Sequence, residues 1–411
     1  MREDMPQVVG RRIRMAPVRI LHLTHTDIRS DSRILKEMRS IADHMDCSIK
    51  GIGIERNDAA NSENGADGIE LVSLSIRSRQ LHWLPAFLRH VFTALEFYGK
   101  VILSSRRFSP DVVHSHDVDV LPLGFLVKLI TGARLIYDAH ELESNRNGIS
   151  RTMGRAILFT EKVLWRSIDR LIVVSPSIEN WYEINLGKKP TAVILNSPVY
   201  KLLGTGENKM YLREKFSIPD DSKIFVYVGA LVRGRGIELI LEAFERPEVS
   251  ASVVFIGYGE LKDPLKRASA NHDNIHVHDA VPHEMVVPIA RSADFGLCLI
   301  QNVSLSDYYC LPNKLFEYCF AGLPVLASDF PDISEVVDRY GLGVCCAPDP
   351  GSIFSGIKLL EEGRVGSGIR NLEELSWQAQ EKKLVELYSD LLLHKGVDAE
   401  SADGKPEQVG D

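Results

Sequence analysis

The sequence predicts an α/β protein built from two doubly wound parallel sheets, and three observations lead to this fold class. Short apolar runs alternate with longer amphipathic stretches, which is the pattern of repeated strand–helix–strand units. The alternation is interrupted near residue 200 by a segment rich in glycine, proline and charge. The chain of 411 residues is also long enough for two domains, each with its own core. We therefore expect two sheets that face each other across a cleft.

Twelve apolar runs are the strand candidates, six on each side of that boundary. Those in the first half are residues 19–25, 47–54, 69–75, 111–117, 134–140 and 170–176. Those in the second half are residues 223–231, 252–259, 275–281, 295–300, 323–328 and 341–347. The run "AVIL" before Asn196 is also interpreted as the end of a strand. The amphipathic stretches between the runs are the predicted helices.

Composition excludes several classes of protein. The net charge of -8 is opposite to the basic balance typical of nucleic-acid-binding proteins. The six cysteines include no CxxC pair and no Cys/His spacing typical of a metal site, so we expect buried thiols in a reducing cytoplasm. The N-terminus has no apolar core of a signal peptide, and no apolar run is long enough for a membrane-spanning helix.

Two segments of the second half are candidates for an anion site. In "VGALVRGRGIELILEAF" (228–244), Gly229 and two arginines, Arg233 and Arg235, precede an amphipathic helix whose first NH groups favour a diphosphate. The alternative is a flexible turn with solvated arginines. In "LPNKLFEYCFAGLPVLAS" (311–328), a helix starting near Asn313 offers further NH groups.

Within that second segment, Glu317 lies one turn into the helix and could accept two hydroxyl donors from a ribose. The alternative is that Lys314 and Glu317 form an ordinary pair on a solvated face. Ligands of parallel sheets bind beyond the carboxyl ends of the strands, so polar residues at those ends are further candidates. They include His116, Asp117, Asp138, His140, Glu141 and Asn196.

The order of five motifs resembles that of the GT-B glycosyltransferases of family GT4, which retain configuration and use nucleotide-diphosphate sugars. The similarity spans residues 18–394. The motifs are "RLIYDAHE", "VILNSP", "GALVRGRGIELILEAF", "LPNKLFEYCFAGLPVLASDFPDISEVV" and "SWQAQEKKLVELY".

The resemblance implies a role for each part of the chain. The parts are a disordered tail (1–17), a Rossmann-like acceptor domain (18–200), a Rossmann-like nucleotide-sugar domain (201–376), a helix crossing back to the first domain (377–395) and a second disordered tail (396–411).

The resemblance also implies roles for single residues. His140, Arg235 and Glu317 correspond to the histidine facing the donor sugar, the diphosphate-binding cation and the ribose-binding glutamate, and they form the catalytic set. The diphosphate site comprises Gly229, Arg233, Arg235, Asn313 and Lys314. Residues expected near the donor sugar or acceptor are Asp31, Arg33, His116, Asp138, Glu141, Asn196, Asp307 and Tyr309.

Three departures from the family pattern affect these assignments. The family's first glutamate, eight positions before Glu317, is replaced by Tyr309, or by Asp307 if the loop is two residues longer. The loop after the first strand has no glycine pair, although Asp31 and Arg33 resemble a variant of it. Ala230 stands where many members have arginine, so Arg233 is expected to supply the second cation.

The expected reaction needs no metal or other cofactor, because arginines, Lys314 and helix starts can stabilise the leaving diphosphate. A donor phosphate oxygen would take the acceptor proton, and His140 would orient the sugar. Asp117-Val118-Asp119 matches the DxD pattern of metal-dependent transferases, but the rest of that fold is missing from the sequence. A UDP-sugar donor, a glycan or lipid-linked acceptor and a role in surface polysaccharide synthesis follow from the resemblance.

Residues 76–108 carry six Arg/Lys residues and one acid, Glu96, interleaved with Trp83, Phe87, Phe92, Phe97 and Tyr98, a pattern that can bind anionic lipid. The alternative is a helix whose aromatic residues are core. We expect a cytoplasmic protein that could lie on the inner face of the membrane. Two other functions share the fold: a sugar-nucleotide epimerase, and a non-catalytic partner subunit that has lost the reaction.

Overall fold

The computed structural model describes residues 17–55, 68–199, 209–363 and 371–402. Contacts group the chain into two compact units, residues 1–114 with 126–133, and residues 115–125 with 134–411. The predicted boundary at residue 200 lies outside the described residues, as do residues 1–16 and 403–411 of the predicted tails.

Each of the twelve predicted strands overlaps a strand of the structure, and the run before Asn196 overlaps a thirteenth. The strands of the described chain are β1 (Val18–Leu23), β2 (Cys47–Ile54), β3 (Ile69–Leu74), β4 (Val112–His116), β5 (Arg134–Ala139), β6 (Arg170–Val173), β7 (Thr191–Val193), β8 (Ile224–Val228), β9 (Ser252–Ile256), β10 (Ile275–His278), β11 (Phe295–Cys298), β12 (Val325–Ser328) and β13 (Gly343–Cys346).

The strands form two sheets of similar topology. The order is β3-β2-β1-β4-β5-β6-β7 in the first sheet and β10-β9-β8-β11-β12-β13 in the second. Neighbouring strands run parallel, for example β1 with β2 and β8 with β9. In both sheets the order reverses beside the first strand, as in Rossmann-like folds. The prediction of two doubly wound parallel sheets is therefore confirmed.

Helices connect the strands. Those of the described chain are α1 (Ser32–His44), α2 (Ala86–Phe108), α3 (Leu121–Thr131), α4 (Arg151–Leu164), α5 (Pro176–Leu186), α6 (Tyr211–Phe216), α7 (Ile237–Phe244), α8 (Lys262–Ser269), α9 (His283–Ala290), α10 (Leu305–Tyr308), α11 (Asn313–Ala321), α12 (Pro331–Tyr340), α13 (Pro350–Glu361), α14 (Leu372–Leu375) and α15 (Trp377–Ala402). Short 3₁₀ helices occupy Arg77–Gln80, Glu143–Asn145 and Trp165–Ser167.

The second sheet is buried on both faces because alternate residues of its strands enter two separate cores. In β8, Ile224 and Val226 pack with residues of α11, whereas Phe225 and Tyr227 pack with residues of α7. Successive side chains of a strand point to opposite faces, so a continuous apolar run suits a sheet with helices on both sides.

A glycine and a tyrosine fix α11 against this sheet. A Cβ atom at Gly296 of β11 would lie 2.4 Å from ring atoms of Tyr318, so only glycine leaves room for that ring. The buried Tyr318 hydroxyl accepts a hydrogen bond from the Val228 amide (2.8 Å) and lies 3.4 Å from the Leu297 carbonyl oxygen. One side chain of α11 thereby contacts the backbone of β8 and of β11.

The last helix contacts the end of the first sheet. The Trp377 amide donates to the Pro198 carbonyl at 3.1 Å, and the Leu195 amide donates to Gln380 Oε1 at 3.2 Å. Lys383 Nζ donates to the carbonyl of Val193 in β7 at 3.3 Å. The backbone of this helix continues to Ala402, beyond its expected end at residue 395.

All six cysteines are free, but the expectation of six buried thiols is met by only two, Cys298 and Cys319. The other four are half-buried because they lie where packing is incomplete: at the start of β2, after α10 and on the edge strand β13. Among the helices of the described residues, none has both the length and the apolar character needed to cross a bilayer.

Replacing Tyr318 with Phe should destabilise the protein, because the buried Val228 amide loses a hydrogen-bond partner. We expect the free energy of unfolding to fall by about 1–3 kcal/mol, measured by urea denaturation. Tyr258→Phe is the matched control, since Tyr258 is 71% exposed. Equal stability of the two variants would mean that the Tyr318 hydroxyl does not hold α11 in place.

Candidate active site

Arg235 lies in the turn between β8 and α7, and the glycine after it determines where this turn can lie. Gly236 has a φ of 75°, and a Cβ atom there would lie 2.4 Å from the carbonyl oxygen of Leu299. A glycine therefore allows the turn to approach the residues that follow β11. Arg235 Nη1 lies 3.4 Å from Asp307 Oδ1. Asp307 is 6% exposed and accepts a hydrogen bond of 2.7 Å from Ser304 Oγ.

Lys314, in the first turn of α11, is held beside the carboxyl end of β8. Its Nζ lies 3.7 Å from the centre of the Tyr227 ring, within the range of a cation–π interaction. A Cβ atom at Gly229 would lie 3.5 Å from the same Nζ, so this glycine keeps the space beside the ammonium group open. Asn313 is the first residue of α11, as predicted.

Glu317 follows Lys314 by three residues but occupies a different environment. Its side chain is 10% exposed, and its Oε1 lies 3.7 Å from Nδ1 of His283, a residue of α9. The Glu317 side chain is therefore largely buried, with a small part open to solvent. A group of this kind can accept hydrogen bonds from two hydroxyl donors at the surface.

Three charged residues of the candidate site act on one thiol at the carboxyl end of β11. Burial raises the pKa of the Cys298 thiol to about 12, Lys314 and Arg235 lower it, and Glu317 raises it. One buried thiol therefore lies within electrostatic range of all three predicted donor-site residues. This is where parallel sheets bind ligands.

A second group of polar side chains lies at the carboxyl ends of β4 and β5. Asp138 Oδ2 lies 3.1 Å from His140 Nε2 and 3.3 Å from His116 Nδ1. The other ring nitrogen of His140, Nδ1, lies 3.6 Å from Asp117 Oδ1. Burial lowers the pKa of His116, although Asp138 raises it. The two aspartates hold the His140 ring in one orientation, with 19% of its side chain exposed.

Two carboxylates after β5, Glu141 and Glu143, are influenced by arginines from the two halves of the sequence. Glu143 Oε2 lies 3.2 Å from Arg146 Nη1. Burial, followed by the charge of Asp117, raises the pKa of Glu143 well above its usual range. Desolvation raises the pKa of Glu141, and Arg235 is the strongest influence lowering it. Glu141 therefore lies within electrostatic range of the predicted diphosphate-binding arginine.

Within the second unit, hydrogen bonds join the segments after β5 and β6 to the segments that follow β11 and β12. The Leu142 amide donates to Ser306 Oγ of α10 at 3.1 Å. Ser175 Oγ donates to the Tyr309 carbonyl oxygen at 2.6 Å. The Ser177 amide lies 3.2 Å from the carboxylate of Asp332 in α12. These bonds keep the polar groups after β5 beside the segment that carries Asp307.

Comparisons with known families agree with this geometry. A family model described as "Glycosyl transferases group 1" matches residues 209–382, and one described as "Glycosyl transferase 4-like domain" matches residues 53–196. The chain belongs to the GT4-type glycosyltransferases of the GT-B fold. The family resemblance predicted from the motifs is therefore confirmed.

Individual relatives of this glycosyltransferase are distant. The Bacillus subtilis protein TuaC, a glycosyltransferase assigned to teichuronic acid biosynthesis, is 23% identical over 261 residues, which is 64% of this chain and 62% of TuaC. The chain thus spans less than two thirds of that relative. Sucrose-phosphate synthase from Thermosynechococcus elongatus has a TM-score of 0.74 at 16% identity, covering 92% of this chain and 100% of that one. Anabaena HepE in complex with UDP-glucose has a TM-score of 0.67 at 14% identity, covering 90% and 99%.

Several residues predicted for the glycosyltransferase site have other contacts in the structure. Asp31 caps α1 by accepting hydrogen bonds from the backbone amides of Arg33 and Ile34. Arg33 forms a buried ion pair with Glu37 at 3.0 Å. Both predicted residues belong to the first unit, and their assignment to the donor sugar or acceptor stays a prediction.

Three predicted residues of the second unit are not part of the ion pair between Arg235 and Asp307. Arg233 is 80% exposed and lies 3.9 Å from Glu260, so its role in the diphosphate site stays a prediction. Asn196 is half-buried and follows β7. Tyr309 contributes its carbonyl oxygen to the bond with Ser175, and its ring contacts that of Tyr308.

Sequence reasoning missed the roles of Asp117, Tyr227 and His283. Asp117 was considered as a polar residue at a strand end and as part of a metal-binding pattern, but not as a partner of His140; it has a φ of 67° and its carboxylate faces His140. An aspartate directly after a strand tolerates this backbone conformation, which is a usable signal. Tyr227 and His283 reach Lys314 and Glu317 through tertiary packing, for which the sequence carries no local signal.

A buried cluster holds β5, the strand that precedes His140. Glu161 of α4 accepts hydrogen bonds from the hydroxyls of Tyr137 in β5 (2.9 Å) and Tyr182 in α5 (2.6 Å). The Tyr182 ring stacks on Trp165 at 5.6 Å. Burial raises the pKa of Glu161 from 4.5 to about 7, although both hydroxyls lower it.

Glu161 should make stability fall as pH rises. Because the pKa is higher in the folded state, its contribution is fully present below about pH 4.5 and is lost as pH rises through about 7. Glu161→Gln removes this titration. Between pH 4 and 8 the free energy of unfolding of the wild type should therefore fall, relative to that of the variant, by on the order of 3 kcal/mol. Urea denaturation measures this difference. The exposed Glu242→Gln should show no such trend, and a parallel pH profile for Glu161→Gln would contradict the assignment.

Proposed function

We propose that this chain transfers a sugar from a nucleotide-diphosphate donor to a glycan or lipid-linked saccharide, with retention of configuration. The observation that carries the proposal is the position of Arg235 in the turn after β8 and of Lys314 and Glu317 on α11, with the Lys314 ammonium group held over the Tyr227 ring beside Gly229. Two cations suit a diphosphate and a buried carboxylate suits a ribose, so the three residues match the two polar parts of a nucleoside diphosphate.

The proposed chemistry depends on stabilising the leaving group. Negative charge grows on the diphosphate as its bond to the anomeric carbon of the donor sugar breaks. Arg235, Lys314 and the amides at the start of α11 would stabilise this charge. The acceptor oxygen forms the new bond to the anomeric carbon, and its proton passes to a phosphate oxygen of the leaving diphosphate. His140, held between two aspartates, would orient the donor sugar. No metal enters this scheme.

A UDP-sugar is the donor we propose, and surface polysaccharide synthesis is the setting. The donor rests on the complex of Anabaena HepE with UDP-glucose, and the setting on the similarity to TuaC. The family matches favour transfer over sugar-nucleotide epimerisation. Arg235, Lys314, Glu317 and His140 are all present, which favours an active enzyme over a non-catalytic subunit.

A panel of UDP, GDP, ADP and dTDP tests the donor site by thermal shift, with and without a chelator. The matching nucleotide at about 100 times its Kd should add about 2.7 kcal/mol to the stability of the wild type and raise Tm by several degrees. The chelator should not change this shift. Arg235→Ala should abolish most of it, because the main diphosphate contact is lost.

Arg267→Ala is the control, since Arg267 lies in the last turn of α8 and has no role in the proposed site. It should keep the full nucleotide shift. Stabilisation by none of the four nucleotides would support the non-catalytic subunit, and stabilisation only with a metal would overturn the metal-free scheme. With a nucleotide-sugar alone, formation of an isomeric sugar nucleotide would identify an epimerase.

Contact with an anionic membrane through residues 76–108 is a further part of the proposal. In α2 and the turn before it, Trp83, Phe87 and Leu95 are 78%, 75% and 62% exposed, whereas Phe97 is buried. The helix therefore keeps one aromatic residue for the core and leaves others at the surface beside basic residues. Such a surface suits the interface of anionic lipid, which would bring the enzyme to a lipid-linked acceptor.

Co-sedimentation with phosphatidylglycerol-containing vesicles tests this contact. Binding should fall with added salt, because basic side chains contribute, and Phe87→Ser/Leu95→Ser should weaken it at least tenfold through loss of apolar burial. Ile184→Ser is the control, since Ile184 is 74% exposed on α5. Salt-independent binding, or equal binding of both variants, would contradict a membrane role for this helix.

A further inference from the structure

A cationic cavity lies beside the start of α4 in the second unit. It has a volume of about 390 Å³, within the range of small-molecule sites. Three arginines line it, Arg146, Arg151 and Arg155, together with apolar side chains that include Leu158 and Leu305. Among the residues that line it, none carries a carboxylate. The cavity therefore offers positive charge and apolar walls together.

Two of the arginines are available to a ligand. Arg146 is already 3.2 Å from Glu143 and 3.9 Å from Asp119. Arg151 and Arg155 are both exposed, and within the described ranges neither forms an ion pair. They are four residues apart on one helix and so lie on the same face. Two adjacent guanidinium groups of this kind suit the oxygens of a phosphate or diphosphate.

The cavity adjoins the candidate active site. Ser304, which also lines it, donates its hydroxyl to Asp307, the partner of Arg235. The loop that leads into α4 reaches the donor loop as well, since a Cβ atom at Gly234 would lie 3.1 Å from Asn147 Nδ2. A molecule in the cavity would therefore lie next to the groups proposed to bind the donor.

The exposed face of α4 continues from these cations into apolar residues. Phe159 and Val163 follow Arg155 at steps of four residues and are 69% and 60% exposed. Phe159 lies about 12 Å along the helix from Arg151, given the rise per residue. Cations in the first turns and apolar side chains in the later turns match a molecule with an anionic head and a hydrocarbon tail.

We propose that this cavity binds the phosphate or diphosphate that joins the acceptor saccharide to a lipid, with the hydrocarbon chain along Phe159 and Val163. The inference rests on the proposed function and deepens it, because it assigns the acceptor to the phosphate-linked lipids. Arg151 and Arg155 bind the anionic group, and α4 directs the chain away from the reaction centre. The saccharide then extends toward His140 and Asp307.

Calorimetric titration of geranyl diphosphate and inorganic diphosphate tests this site in the full chain carrying Arg235→Ala, which weakens the donor site. Adding Arg151→Gln and Arg155→Gln should weaken binding of both probes, by roughly tenfold for each lost charge-assisted contact. Adding Phe159→Ser should weaken geranyl diphosphate severalfold and leave inorganic diphosphate unchanged. Lys162→Gln/Arg166→Gln removes the same charge from exposed positions in the last turn of α4 and in the 3₁₀ helix that follows it, and should alter neither.

Each outcome has a definite meaning. Unchanged binding in the Arg151→Gln/Arg155→Gln protein overturns the site. If the two arginine substitutions weaken binding of both probes but Phe159→Ser leaves geranyl diphosphate binding unchanged, the cavity is an anion site for a free phosphate and the lipid assignment is overturned. An equal loss in the Lys162→Gln/Arg166→Gln protein reduces the effect to surface charge and also overturns the site. The same two arginine substitutions in an otherwise wild-type chain should keep the nucleotide thermal shift, so failure of the donor site is recognised separately.

Discussion

The contact between Tyr318 and Gly296 is the constraint on which the position of α11, and with it Lys314 and Glu317, depends. The Tyr318 ring occupies space that any side chain at position 296 would fill, and its hydroxyl contacts the backbone of β8 and β11. The distance and rotation of α11 relative to the sheet are therefore set by one buried side chain. Lys314 and Glu317 are rigidly carried by the same helix, so their positions depend on it.

The groups around His140 are held by a different kind of interaction. Asp117 and His140 directly follow β4 and β5, whereas Asp138 is buried within β5. Hydrogen bonds to Ser306 and the Tyr309 carbonyl position the loops after β5 and β6. The buried Glu161 anchors β5 from behind. A helix packed on the second sheet therefore carries Lys314 and Glu317, whereas a hydrogen-bonded loop carries His140.

The strands and the family could be predicted because their signals are local. Apolar runs of strand length identify β1 to β13 almost completely, and Gly229, Arg235 and Glu317 lie in motifs whose order is specific. The resemblance also placed His140 after β5. These features depend on residues that are close in sequence, where periodicity and turn chemistry are informative.

Contacts between distant residues could not be read from the sequence. Nothing near Asp307 indicates that it faces Arg235, and nothing near Lys314 indicates the ring of Tyr227. The approach of His283 to Glu317, and the cavity that brings Arg146 and Arg151 beside Ser304, are visible only when separate elements come together. Such features depend on tertiary packing, which a single sequence does not specify by pattern.

The ion pair between Arg235 and Asp307 has a consequence for selectivity. An arginine that already has a carboxylate beside it is a poor site for chloride or inorganic phosphate, because a small anion in solution must displace a partner with high effective concentration. A nucleoside diphosphate can gain Lys314, Glu317 and the start of α11 as well, and so can compete. The pair would thus act as a filter that excludes the abundant anions of the cell and admits only ligands that make several contacts at once.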